Sequence, residues 1–197
     1  GTAYGFFNLV SGLAMLVAEE LDVPLARVAL EQAGHDAIYG NVSMILGSLP
    51  FHPLESEGGN KPAKVRVGEW VVGKIARELG INATGGSSSI ADAWEPLRSA
   101  AATARASLLG AAAAQWKVPL AELAVQDGVV RHASGKSGHY GLFAKGAAGT
   151  TPTIMAPKDR TAWKLIGKPA QRSDIPAKTN GSARFGIDVR LPGMLFA

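Results

Sequence analysis

Cysteine is absent from the 197 residues. That excludes a disulfide, a thiolate zinc site and any cysteine-ligated iron–sulfur cluster held by this chain itself; it says nothing about compartment. No stretch reaches the ~20 apolar residues that a membrane helix needs. Charged residues make up only 18% of the chain, with 20 basic against 16 acidic and a formal net charge of +4. The basic residues are scattered rather than massed among aromatics, which argues against nucleic-acid binding. Residues Gly1 to Val17 are apolar but lack a basic n-region and a cleavage site, so they do not read as a signal peptide. The chain opens inside structured-looking sequence and closes on an apolar, strand-like stretch, so the expectation is a piece of something larger.

Several chemical signatures are missing too. No Gly-Lys-Ser/Thr follows a glycine-rich loop, and neither Gly-x-Gly-x-x-Gly nor His-Glu-x-x-His occurs. Gly-x-Ser-x-Gly, the nucleophile elbow, is also absent. The four histidines, His35, His52, His132 and His139, include no pair at metal-ligand spacing. Asp36 beside His35 reads as a loop hydrogen bond. Glu19 and Glu20 are adjacent, hence aimed at different parts of a helix surface, which disfavours a carboxylate pair. Asp92 and Glu95 read as dipole partners near a helix start. Trp94 and Trp116 read as core.

What is present centres on Thr84-Gly85-Gly86-Ser87-Ser88-Ser89, followed by Ile90-Ala91-Asp92-Ala93-Trp94. Two glycines allow a sharp turn, and an apolar-periodic segment follows. A Gly/Ser turn opening a helix leaves backbone N–H groups unpaired at the positive end of the helix dipole, a seat for phosphate or another anion. Plain N-capping by serine fits the same residues. Spacing alone leaves both readings open.

The rest of the chain supplies the frame. Leu9 to Leu21 carries a helical stripe stopped by Asp22-Val23-Pro24. Arg27 to Gln32 alternates as a strand does. Gly34 to Gly59 is loop-rich, with a short buried turn at Met44-Ile45-Leu46. Ala63 to Leu79 places Val67, Trp70, Val71, Ile75 and Leu79 at helical spacing, with Gly80 as C-cap. Ile90 to Trp116 is the longest helical run, its stripe being Ile90, Trp94, Leu97, Ala101, Ala104, Leu108 and Ala112; Pro96 either kinks it or marks a later start. Leu123 to Gln126 and Val129 to His132 flank an Asp127-Gly128 turn as a hairpin. Turns follow at Ser134-Gly135 and Ser137-Gly138, then a short helix over Leu142 to Ala148. Gly149 to Asp159 reads as linker and Trp163 to Ile166 as an isolated strand. Ala183 to Val189 and Met194 to Phe196 read as strands around Leu191-Pro192-Gly193. The fold class expected is α+β, and no internal repeat is present.

Four blocks occur in a telling order: Met15-Leu16-Val17-Ala18-Glu19-Glu20-Leu21-Asp22-Val23; Thr84 to Ser89; Asp127-Gly128-Val129-Val130; and Gly181-Ser182-Ala183-Arg184-Phe185-Gly186-Ile187-Asp188-Val189-Arg190-Leu191-Pro192-Gly193-Met194-Leu195. Together they resemble the N-terminal part of the large, molybdenum-cofactor-binding subunit of the xanthine oxidase family, in its bacterial isoquinoline oxidoreductase and membrane-associated aldehyde dehydrogenase branch. The segment Leu49 to Pro53 fits that branch less distinctively.

The resemblance implies a partial molybdopterin-binding domain over 1–150, a linker over 151–180 and the first strands of a hammerhead-like domain over 181–197. It implies that Gly86, Ser87, Ser88 and Ser89 hold the pterin and phosphate part of molybdopterin cytosine dinucleotide. It further implies an aldehyde or N-heterocycle substrate, hydroxylated with oxygen from water. The catalytic Glu would lie outside this chain, in the remainder of the molybdenum-binding subunit or in a separate large chain. Electrons would leave through 2Fe-2S clusters on a partner subunit, and in some cases through haem c on a cytochrome c subunit. The branch is often periplasmic or on the periplasmic face of the inner membrane. One departure stands out. Where the family has Gly-Gln-Gly before its first helix, this chain has Phe6-Phe7-Asn8, and Phe7 cannot make the amide hydrogen bonds of a Gln. Ser11 falls where a Thr is common. The alternative implied by that departure is a structural or assembly module without direct cofactor contact.

Overall fold

The computed structural model describes residues 11–31, 36–56, 60–149, 155–170 and 174–195. Helix α1 spans Leu13–Leu21. It stops at Asp22, which turns left-handed (φ 51°) and returns its amide to the Ala18 and Glu19 carbonyls; Pro24, two residues on, cannot continue a helix. A 3-10 turn, Ala37–Tyr39, precedes the short helices α2 (Val42–Leu46) and α3 (Pro53–Ser56). Helix α4 runs Ala63–Leu79 and ends at Gly80, whose φ of 56° is the left-handed C-cap expected. Glycine is required there twice over: a Cβ on Gly80 would stand 2.4 Å from the Ala37 Cα.

Helix α5, Ser88–Trp116, spans 29 residues, about 43 Å at the usual rise. Its alanines are strong helix formers. The helix begins upstream of Pro96 and continues through it, so the proline does not mark the start. Helix α1 packs along α5, and the contact is made small: Ala14 and Ala18 on α1 and Ala101 and Ala102 on α5 are all buried. Such residues let two backbones approach closely. Helix α2 packs against both α4 and α5.

After α5, strands β1 (Leu123–Gln126), β2 (Val129–His132) and β3 (Ser137–His139) form an antiparallel meander in the order β1-β2-β3. Val125 pairs with Val130, and Val130 with Gly138. Both residues of the Asp127-Gly128 turn have positive φ, 53° and 72°, the geometry whose twist matches a two-residue hairpin. Helix α6 (Ala144–Ala148) returns onto α5. The core at this end joins Ala111, Ala112, Val130 and Phe143, with the Trp116 ring edge-on to Phe143 at 5.2 Å. Helix α7 (Ile175–Thr179) is the last α-helix among the described residues. The architecture is mixed: helices plus one small antiparallel sheet, compatible with the α+β class.

Several expectations are corrected. Residues 28–31 form no strand, and Leu30 is half exposed; with no neighbouring strand to complete a ladder, alternation alone does not make one. Trp163 to Ile166 is likewise irregular, held by side chains rather than a ladder. Ser137-Gly138 lies in β3 rather than in a turn. Ala183 to Val189 contains a 3-10 turn at Gly186–Asp188, and Met194-Leu195 is exposed coil. Phe196 lies outside the described residues, as do Phe6-Phe7-Asn8, His35 and the Gly58-Gly59 pair. The apolar stripe of α4 faces outward: Val67, Trp70, Ile75 and Leu79 are each more than half exposed, whereas Val65 and Ala76 are buried.

Candidate functional site

The Gly/Ser turn is built on Asn41. The Asn41 amide donates to the Ala83 carbonyl at 3.0 Å and to the Ser88 hydroxyl at 2.9 Å. Its backbone N–H donates to the Ile81 carbonyl, and its side-chain oxygen accepts the Met44 N–H, capping α2. One residue thus ties the lead-in, the start of α5 and the start of α2. Asp92 reinforces the joint by accepting the Ser43 N–H at 2.8 Å. It acts on the neighbouring helix rather than as the dipole partner of its own.

The four candidate residues are treated differently. Gly86 has φ 55° and open space where a Cβ would stand. Ser87 occupies the N-cap position of α5 in a left-handed conformation, φ 62°, and makes no side-chain cap bond. Ser88 accepts from Asn41. Ser89 is buried and shares a 2.7 Å hydrogen bond with the Thr84 hydroxyl. Plain N-capping is therefore not what the turn does: an N-cap serine needs an extended backbone to reach the N2 or N3 amide. The Ser88 N–H is taken by the Gly85 carbonyl at 3.0 Å. Ser89 and Ile90 stand in the first turn of α5, where an amide has no acceptor within the helix four residues back. This first turn, at the positive end of a 29-residue helix and beside the exposed Ser87, suits an anionic group such as phosphate.

A second cluster escaped the sequence reading. Glu19 and Glu20, at the end of α1, are both almost wholly buried. Glu20 accepts the Arg98 Nε–H at 2.9 Å and the Lys158 amide at 2.9 Å. Glu19 accepts the amides of Lys164, Leu165 and Ile166. Asp22 pairs with Lys158 at 2.9 Å and with Lys164 at 2.7 Å. Arg105 reaches the Glu20 carbonyl. The Arg98 guanidinium lies 5.0 Å from the Trp94 ring centre and 5.2 Å from that of Trp163, and the two indoles meet edge-on at 5.7 Å.

Burial pushes the Glu19 carboxyl up, but the Ile166, Leu165 and Lys164 amides and the Lys158 charge outweigh it and hold it below its ordinary value. Asp22 behaves alike: burial raises it, and the hydrogen bonds from Lys164 and Lys158 bring it below its ordinary value. The Lys164 ammonium is raised chiefly by its bond to Asp22. Burial, then the Asp22 charge, push the Tyr140 phenol upward; its hydroxyl donates to the Leu21 carbonyl at 3.0 Å.

One signal could have exposed this cluster. Three acids in and just after the last turn of a helix oppose its macrodipole, which favours cations there. They persist because Arg98, Arg105, Lys158 and Lys164 converge on them. Glu19 and Glu20 share Lys158, whose Nζ stands 3.7 Å from Glu19 and whose amide donates to Glu20, but their remaining partners differ. No group of three or more metal-ligating side chains occurs among the described residues. His132 bonds Glu122 and Ser134, each at 2.8 Å, within the hairpin region.

No protein-family model matches the chain. Relatives do. It is 33% identical to the beta chain of isoquinoline 1-oxidoreductase from Brevundimonas diminuta, across 95% of this chain and 24% of that protein. It is 34% identical to a subunit of nicotinate dehydrogenase from Pseudomonas putida, across 64% of this chain and 11% of that protein. It is 36% identical to membrane-bound aldehyde dehydrogenase [pyrroloquinoline-quinone] of Gluconacetobacter polyoxogenes, across 59% of this chain and 16% of that protein. By name these are oxidoreductases or subunits of them. The chain belongs to the molybdenum-binding subunits of the xanthine oxidase family, of the isoquinoline oxidoreductase type. It spans about a quarter, or less, of the length of these relatives.

Proposed function

We propose that this chain contributes one wall of the cofactor site in a molybdenum hydroxylase that oxidises an aldehyde or an N-heterocycle. The observation that supports the reading is the turn at Gly86 to Ser89, which opens a 29-residue helix and leaves Ser87 exposed with no side-chain cap bond. The donors present suit the phosphate end of molybdopterin cytosine dinucleotide: Gly86 leaves room for close approach, Ser87 offers its hydroxyl, and the first turn of α5 offers backbone from a helix start fixed by Asn41 and Thr84 through Ser88 and Ser89. When bound, the molybdenum cofactor supplies the oxidation of a substrate C–H position with oxygen from water. The catalytic Glu lies on the portion of the subunit outside this chain. With no cysteine here, the 2Fe-2S clusters belong to a partner subunit, and onward transfer to haem c to a third. The periplasmic face of the inner membrane is the site of action that the family likeness favours; among the described residues no helix is long and apolar enough to cross a membrane.

The test is metal analysis of the purified complex. Ser87→Asp places a negative charge in the seat and is expected to lower molybdenum per complex about tenfold, the equivalent of ~1.4 kcal/mol, while Ser87→Gly retains it. Full molybdenum in Ser87→Asp overturns the reading.

A second reading, an assembly module without cofactor contact, is favoured by one observation: the Ser88 and Ser89 hydroxyls are spent on Asn41 and Thr84. A complex that keeps its molybdenum in Ser87→Asp supports it. Because one relative's name carries pyrroloquinoline quinone, the same preparation is extracted and its cofactors weighed by mass spectrometry; a quinone without molybdenum defeats both readings.

A further inference from the structure

Helix α4 turns its apolar stripe outward. Trp70 is 66% exposed, Val67 62%, Ile75 54% and Leu79 65%. Ile38, in the turn that abuts the end of the helix at Gly80, is 84% exposed. The inward side is already complete: Val65 and Ala76 are buried, and a Cβ on Gly68 would meet the Phe51 ring. Rotation cannot hide the stripe without exposing that side. At the N-terminal half of α4, Ala63, Arg66, Val67 and Trp70 line an open apolar groove of about 450 Å³. Trp70, Lys74 and Arg77 share one face at i, i+4 and i+7. Arg66, Lys74 and Arg77 have no ion-pair partner among the described residues. A large exposed aromatic in an apolar patch with an ionic rim is the usual anatomy of a buried contact.

We infer that this outward face of α4 is the seat for the part of the large subunit that lies outside the matched stretch. Three quarters of the first relative's length has no counterpart here, so the family's own subunit carries a body several times larger than this chain. The surface it presents to α4 is apolar at its centre, filling the groove beside Trp70, and acidic where it meets Arg66, Lys74 and Arg77. The inference rests on family membership and not on the cofactor seat, so molybdenum content and this contact fail independently.

Hydroxyl-radical footprinting of the intact complex tests it, with Trp70 read against Trp116, which is partly buried and packs against the core of this chain. Trp70 is expected to be oxidised as slowly as Trp116, and to remain so after the iron–sulfur partner is stripped and after tenfold dilution. Carbodiimide is expected to cross-link Lys74 to a carboxylate elsewhere in the same subunit. Protection lost with the iron–sulfur partner assigns the face to that partner and overturns the inference. Protection lost on dilution assigns it to a second copy and overturns it equally. A Trp70 oxidised several-fold faster than Trp116 in the undisturbed complex shows the face bare and overturns it outright.

Discussion

Arg98 donates its Nε proton to Glu20 across 2.9 Å, although 78 positions separate the two residues in the chain. Both are buried, and the guanidinium is flanked by Trp94 and Trp163. A charge pair taken this far from water is held by geometry and by the additional bonds that Lys158 and Arg105 supply. Arg98→Ala leaves the Glu20 carboxylate buried with its nearest cation gone and removes a guanidinium from between two indoles. The expected loss is about 3–5 kcal/mol, read as a fall in the urea midpoint. A midpoint within error of the parent contradicts the assignment.

The acid limb of stability is set in part by Glu19 and Asp22. Each is held below its ordinary value, 4.5 and 3.8, in the folded chain. Their contribution is therefore complete above those values and is lost as the pH falls through the lower folded ones. Lys164 has the opposite sign: raised above its ordinary 10.5, it contributes below that value and its contribution is lost as the pH climbs through the folded one. Glu19→Gln is expected to flatten the fall in urea midpoint between roughly pH 5 and pH 3, because the slope there counts protons taken up on unfolding. An unaltered slope sinks this account.

Asn41 is the most connected side chain of the Gly/Ser turn. Asn41→Ala removes the cap of α2 and leaves the Ala83 carbonyl and Ser88 hydroxyl without their donor. The cost is about 1–3 kcal/mol, and faster amide exchange confined to residues 81–92 is the accompanying signature. Uniform exchange across the chain contradicts a local anchoring role.

Ser87 holds a left-handed backbone, φ 62°, which costs a non-glycine residue about 1–2 kcal/mol. Ser87→Gly is expected to raise thermal stability, and Ser87→Val to lower it, because a β-branched residue tolerates that region worst. Equal melting temperatures for the three show that the turn is not held as described.

Gly80→Ala meets two objections at once. The left-handed φ penalises any Cβ, and this one lands 2.4 Å from Ala37. The helix end must move away from the Ala37–Tyr39 turn, at a cost of about 2–4 kcal/mol when the strain and overpacking contributions are taken together. A variant as stable as the parent on denaturant unfolding excludes this packing.

Local rules were legible where the local chain settles the matter. The Gly80 cap, the Asp127-Gly128 turn and the alanine-rich α5 each rest on a preference carried by one or two residues. The strands over 123–126 and 129–132 were legible because their turn supplies each with a neighbour; those expected at 28–31, 163–166 and 183–189 were not formed, since a ladder needs a neighbour and a local pattern does not say whether one exists. Which side α4 buries was not legible for the same reason, since a stripe names a sticky face without naming what covers it. The Gly/Ser turn was legible as a helix start, but its left-handed Ser87 was not, because that conformation follows from Asn41 and Thr84 drawing the neighbouring hydroxyls inward. The burial of Glu19 and Glu20 was not legible because the partners that hold their carboxylates lie more than 70 positions away.

The bond from Ile166 to Glu19 spans 147 positions, which also makes it a clock. On a ribosome adding ~5–20 residues per second, that amide is made roughly 7–30 s after the carboxylate it will meet. Throughout that interval the end of α1 carries negative charges whose lysines do not yet exist, so α1 cannot be locked in place while the nascent chain is short. Truncation before residue 158 would leave the same acids stranded, and a shortened chain of that kind should behave as a chaperone client rather than as a small stable domain.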